Sequence, residues 1–144
     1  MITPAEAARL IIAQFQPLAP ERRPLREALD AVLAEDVASP IDLPPWDNSA
    51  MDGYAVRSAD LKETGTDLDV IETLPAGQFP VKAVGPGQAT RIFTGAPVPQ
   101  GADTVIRQED TEQDSNGGRV SVRNTRDAKK NIRSRGEDIR KGAV

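Results

Sequence analysis

The densest chemistry in this chain lies between Pro44 and Val56, in the run Pro-Pro-Trp-Asp-Asn-Ser-Ala-Met-Asp-Gly-Tyr-Ala-Val. It holds the only Trp, the only Tyr and one of two Met, in a sequence with 3% aromatic residues. Trp46 and Tyr54 each join a large apolar body to a polar tip, so they pack while the tip finds a partner. Asp47, Asn48 and Ser49 can bond neighbouring backbone groups and hold a turn. Asp52 precedes Gly53, which without a Cβ either takes positive φ or lets another chain approach closely. The expectation is a rigid irregular loop that presents one carboxylate. Two more blocks carry chemistry. Thr94-Gly95 leaves a β-leaning run and opens a Pro-stiffened loop to Asp103. A hydroxyl beside a Gly at a strand end suits a phosphate or a metal-bound oxygen, or else closes a tight turn by a local bond. Between Asn131 and Ile139 stand Arg133, Arg135, Gly136, Glu137 and Asp138. Arg suits bidentate anion recognition. Glu137 and Asp138 can hold Mg²⁺, or lock the arginines into a self-satisfied surface cluster.

Composition narrows that chemistry. The chain has no His, which removes Ser-His-Asp triads, His general bases and zinc-binding helices. It has no Cys, which removes disulfides and thiolate metal sites and fits a reducing compartment. Any metal here is therefore a hard cation on oxygen ligands. No apolar run approaches a membrane span, and the first residues lack a signal-peptide layout. The net charge of −4 hides an asymmetry. Residues 123–141 contain eight basic and three acidic side chains, leaving ten basic and nineteen acidic of the chain's 18 and 22. Such a cationic segment suits an anionic ligand or an acidic neighbour, while the plainer reading is a solvated surface. It contains no aromatic residue, and with the overall acidity this argues against nucleic acid as a partner.

The elements that must position these blocks are short. Thr3-Pro4-Ala5-Glu6 is a capping box with Pro at the first helical position. Ala8, Ile11, Ile12 and Phe15 continue as one apolar stripe of a helix of about three turns. Pro17 and Pro20 end it. A second short helix is expected over 24–29, with an extended exit through Val37. Beyond Ser39 the runs Asp67–Leu74, Gln88–Phe93, Thr104–Gln108 and Arg119–Arg123 lean to β, separated by Gly- and Pro-rich breaks. Ser115-Asn-Gly-Gly before alternating Val120 and Val122 reads as a hairpin turn. The expected class is α+β, mainly β. Its parts are a helical lead and linker over 1–38, a small β domain over 39–138, and the start of a return segment over 139–144.

The three blocks, PPWDNSAMDGYAVRSADL, RIFTGAPVPQGADTVIRQED and NIRSRGEDIRKGAV, resemble the N-terminal region of the MoeA/gephyrin-E family, the molybdopterin molybdenumtransferases. The resemblance spans essentially all 144 residues, with the blocks in the family's order and spacing. One departure is Asp30, where members often have Gly.

The resemblance implies a role in molybdenum cofactor biosynthesis: insertion of molybdate into adenylylated molybdopterin with release of AMP, assisted by Mg²⁺. It implies a cytoplasmic homodimer whose active site is shared between protomers. The small β domain then supplies one half and a pterin-binding domain of the other protomer supplies the rest. By matching position it implies Asp52, Thr94 and Asp138 as catalytic residues, Asp52 and Asp138 also as metal ligands. Arg133 and Arg135 are implied for anion steering and Ser49 near the cofactor, with Asp47, Asn48 and Ser49 mainly holding the loop. The chain is expected to end before the pterin-binding domain and to be inactive alone. The rival expectation is a non-catalytic dimerisation or scaffold module of the same family.

Overall fold

The computed structural model describes residues 2–62 and 64–144, and the chain divides into two compact units, residues 1–37 and 38–144. In the first unit, α1 spans Pro4–Ile12. Thr3 Oγ1 accepts from Glu6 N at 3.2 Å and Glu6 Oε2 accepts from Thr3 N at 2.8 Å, so the expected capping box is present. The helix is one turn shorter than its apolar stripe. Phe15 lies beyond it, and Ile11, Ile12 and Phe15 are all exposed. The second expected helix is a single 3₁₀ turn, Leu25–Glu27. Asp30 adopts φ 64°. This left-handed conformation favours Gly and is among those Asp tolerates.

Among the described residues the second unit carries eight strands: β1 (Asn48–Ser49), β2 (Gly53–Val56), β3 (Thr66–Leu74), β4 (Gln88–Ile92), β5 (Thr104–Arg107), β6 (Thr111–Gln113), β7 (Arg119–Val122) and β8 (Ile132–Arg133). Six form one sheet in the order β5-β2-β4-β3-β7-β6, parallel only between β3 and β4. The four expected strands appear within a residue of their predicted ends, and β6–β7 is the expected hairpin. The fold is mainly β with one N-terminal helix. Among the described residues no helix is long and apolar enough to cross a membrane.

The block over 44–56 is not irregular throughout. Residues 53–56 form the second strand of the sheet, hydrogen-bonded on both sides to β4 and β5. All four residues are buried. Tyr54 and Val56 enter a core with Leu68, Ala89, Ile106, Val120 and Val122, while Ala55 enters a second core with Leu74, Ile92, Ala96 and Val105. Side chains alternate across a strand, so both faces of β2 are dry. Such a strand shows no polar alternation, and the test for a half-buried strand misses it.

Strand β3 serves both cores by another device. Leu68 and Leu74 are six residues apart and would share a face of a regular strand. The register with β4 skips Ile71 between Val70 and Glu72. That bulge reverses the alternation, so Leu68 joins the first core and Leu74 the second. The sheet edges also meet. Edge strands β5 and β6 are joined only by the 3₁₀ turn Gln108–Asp110, so the sheet curls enough to bring the end of its first strand to the start of its last.

Residues 139–144 run back along the unit's entrance instead of leaving it: Ser39 N donates to Ala143 O and Gly142 N to Ser39 O, each at 2.8 Å. Behind the sheet, Arg107 grips the buried Asp127 through Nε at 2.8 Å and Nη2 at 3.1 Å. Arg126 grips buried Asp110 at 2.7 and 3.0 Å, anchoring the 124–130 loop.

Gly53 is required by close approach and not by φ. A Cβ there would collide with the Ile106 carbonyl and lie 3.0 Å from Arg107 Cα. Gly118 has open space at its Cβ position and no positive φ. Gly53→Ala is expected to lower unfolding free energy by about 3 kcal/mol, at or above the upper end of overpacking costs. Gly118→Ala is expected to stay within about 0.5 kcal/mol of the parent. Urea denaturation of both variants checks the contrast, and equal stabilities would contradict it.

Candidate functional site

Three sequence blocks converge on β1. Ser49 N donates to Ala96 O at 3.0 Å, and Gly95 N donates back to Ser49 O at 2.9 Å. On its other side β1 pairs with β8, Asn48 opposite Arg133 and Ser49 opposite Ile132. Asp47 Oδ1 accepts from Arg135 N at 2.7 Å, and Gly136 N donates to Pro44 O at 2.9 Å. The loop before β2, the Thr-Gly loop after β4 and the Gly-Glu-Asp turn after β8 are therefore one hydrogen-bonded cluster.

Within that cluster Asp52 and Thr94 meet. Asp52 Oδ1 accepts from both the backbone N and the Oγ1 of Thr94, each at 2.8 Å. Those bonds, with Arg91 nearby, hold the Asp52 carboxyl below the usual carboxylate range. Asp52 O also accepts from Gln108 N at 3.0 Å, tying this residue to the corner where the sheet edges meet. A cavity of about 630 Å³ opens here, lined by Met51, Asp52, Tyr54, Thr94, Gln108, Glu109, Thr111 and Gln113. Burial pushes the Tyr54 hydroxyl up, and Arg91 offsets part of that rise.

The other expected site residues are placed differently. Ser49 is buried, its hydroxyl donating to Met51 O at 2.6 Å and accepting from Met51 N at 3.3 Å. It closes a turn and is not among the residues lining the cavity. Asn48 holds the loop through its backbone, since its side-chain oxygen is buried without a partner. Arg133 pairs with Asp138 and lies 3.6 Å from Glu137, and burial costs are outweighed so that its guanidinium is held further up by Asp138 first and Glu137 second. Arg135 binds Asp42 through Nε at 2.7 Å. Both arginines are occupied by acids: Arg133 by Glu137 and Asp138 of its own turn, and Arg135 by Asp42 from outside it. Asp138 has its backbone N bonded to Leu43 O at 2.9 Å and is not among the residues lining the cavity.

Sequence reasoning missed Glu109, Gln108 and Arg91. Glu109 is a second acid on the cavity wall, and among the described residues it makes no hydrogen bond or ion pair. Arg91 opens the quoted RIFTGAP run but reads there as an ordinary strand residue. No signal marked either one, because their importance comes from sheet register and not from local spacing.

Fold and site define a class: a small curled β domain that presents an ionised carboxylate and a hydroxyl, hard oxygen donors, at the seam of its sheet. The family model for the MoeA N-terminal region (domain I and II) matches residues 2–144, and the chain belongs to that family. It is 42% identical over 144 residues to the molybdopterin molybdenumtransferase of Synechococcus elongatus, covering 95% of this chain and 35% of that relative. It is 40% identical over 146 residues to the molybdopterin molybdenumtransferase of Haemophilus influenzae, covering 100% of this chain and 35% of that one. The crystal structure of the molybdopterin biosynthesis MoeA protein from Pyrococcus horikoshii superposes with a TM-score of 0.84 at 37% identity, over 97% of this chain and 38% of that chain. The chain thus spans about a third of the length of these relatives.

Thr94→Val removes the hydroxyl bond but keeps the backbone one. The Asp52 carboxyl is then expected to titrate at higher pH than in the parent, while Thr94→Ser leaves it where it is. A carboxyl-carbon NMR titration reads this directly. In the parent, the stability that the Thr94 bonds confer is present above the ordinary Asp pKa of about 3.9 and is lost as pH falls through the depressed value. A Thr94→Val titration superimposable on the parent would remove Thr94 as the cause.

Proposed function

We propose that this chain acts in molybdenum cofactor biosynthesis. It supplies one half of a site at which molybdate enters adenylylated molybdopterin and AMP is released. The observation that carries this reading is the Asp52–Thr94 pair on an open cavity, in a chain of a family whose relatives are named molybdopterin molybdenumtransferases. In the proposed enzyme the β domain of one protomer faces the pterin-binding part of another, so the active unit is a homodimer acting on small anionic substrates.

The oxygen donors fit Mg²⁺. Asp52 Oδ1 takes both Thr94 bonds, and Oδ2 accepts none within the described residues, so one oxygen is free to ligate. Mg²⁺ commonly uses one or two carboxylates and completes its shell with water and substrate phosphate oxygens. Asp52 would hold it in the cavity. Asp138, tied to the same cluster through β8 and β1 but outside the cavity lining, is the second carboxylate of this reading, and it would ligate in place of its pair with Arg133. The chemistry Mg²⁺ supplies when bound is Lewis-acid polarisation of a phosphate oxygen. Thr94 keeps Asp52 charged and fixes its rotamer, so the free oxygen is aimed without reorganisation.

The test pairs this chain with the separately expressed remainder of a full-length relative in a molybdate-insertion assay. The pair is expected to turn over, and the chain alone is not. Asp52→Asn should reduce the rate about 100-fold or more, the scale for losing one preorganised electrostatic group. Asp138→Asn separates its two roles: a higher Mg²⁺ concentration for half-maximal rate assigns it to the metal, and an unchanged one leaves it to Arg133. Turnover by the chain alone, or an Asp52→Asn variant as fast as the parent, defeats the reading. A scaffold role instead predicts binding to the relative that is indifferent to Asp52→Asn, together with no rate dependence on it.

A further inference from the structure

Nine arginines belong to the second unit, and six of them are ion-paired to an Asp or Glu. Arg91 has no such partner among the described residues. It lies on β4 opposite Tyr54 of β2, and its guanidinium carbon stands 5.0 Å from the Tyr54 ring centroid and 4.8 Å from that of Phe93. Nη1 donates to Gly53 O at 2.9 Å and Nη2 to Gln108 Oε1 at 2.6 Å. Two aromatic faces and two hydrogen bonds fix the plane of the group. Arg has five N–H donors, so three remain unused here. Arg91 is not itself among the residues lining the Asp52 cavity, but two that it touches, Tyr54 and Gln108, are, which places its guanidinium at the cavity's edge.

A cation held rigid, half-buried and without a carboxylate is what anion recognition needs. Its ordering cost is met by the fold, and its charge is not already neutralised. Arg133 and Arg135 fail the second condition, being already neutralised by Asp138 and Asp42. We propose that Arg91 is the oxyanion-binding residue of the Asp52 cavity, taking a tetrahedral dianion such as molybdate or a phosphate monoester through its unused guanidinium donors. The proposal rests on reading that cavity as part of an oxyanion-transferring site, and it names the group that grips the anion. The site then has two signs: Arg91, behind Tyr54 and Gln108 at the cavity's edge, for the anion, and Asp52 with Glu109 on the wall for a cation that bridges to it. The bland alternative is that Arg91 only props Gln108 and shields the Tyr54 ring.

The test titrates the chain with sodium molybdate and, separately, with AMP, following the Arg91 side-chain Nε–H in ¹H–¹⁵N NMR. A structural prop would not respond, whereas an anion-binding Arg91 should show a saturable shift. If only molybdate moves the signal the site takes the inorganic anion. If only AMP does, it takes the phosphate monoester. Arg91→Gln should weaken binding about tenfold or more, the scale of one charge-assisted bidentate contact. Arg91→Lys should recover part of it through charge alone. Arg133→Gln and Arg135→Gln should stay within about twofold, as expected for cations already screened by partners. Should the Arg91 signal be unmoved by both anions, or Arg91→Gln bind as the parent does, the proposal is wrong. Asp52→Asn keeps the two readings apart. Anion binding that survives in this variant alongside undiminished insertion activity would sink the proposed function and leave Arg91 standing.

Discussion

Everything at the site depends on β2 being packed between two neighbours at once. Its residues are bonded to β4 on one side and β5 on the other, and its two faces feed separate cores. Gly53 makes this possible, because any larger residue would strike the Ile106 carbonyl. Asp52 is the residue just before that fixed strand, so its backbone has almost no latitude. The carboxylate is positioned by the most constrained part of the sheet and then locked by Thr94 at the end of the adjacent strand. A site built on strand ends is held more tightly than one built on loops alone.

Around this anchor the polar residues divide into those that build and those that face the cavity. Ser49 spends its hydroxyl on its own turn, and Asp47 and Arg135 bond across between loops. Arg133, Glu137 and Asp138 form an ion-paired turn. Asp52, Glu109 and Arg91 keep capacity to spare. Motif density alone does not separate these groups, since builders and presenters share the same three blocks. Unused hydrogen-bonding capacity does.

Much was legible in the residues. The capping box at Thr3–Glu6, the hairpin at Ser115–Gly118 and four strands follow from local patterns whose physics is local. The meeting of Asp52 with Thr94, 42 residues apart, came from family resemblance and not from spacing. What escaped the sequence has identifiable causes. Strand β2 lacks polar alternation because both faces are buried, and the β3 bulge breaks the period that would assign its residues to a face. The two-residue strands β1 and β8 are too short to leave a pattern. Arg91 and Glu109 become notable only once register places them beside Asp52.

The corner at Gln108–Asp110 joins the two edges of the sheet, and the cavity wall takes Gln108, Glu109, Thr111 and Gln113 from that same corner and from β6. Opposite them stand Asp52 and Thr94, from the ends of interior strands. A molecule lodged between these groups therefore works as a clasp across the join. Occupancy and resistance to unzipping would then be one free energy observed in two ways, since a ligand that binds only the closed form also protects it. Ligand occupancy and mechanical closure share a single address in this domain.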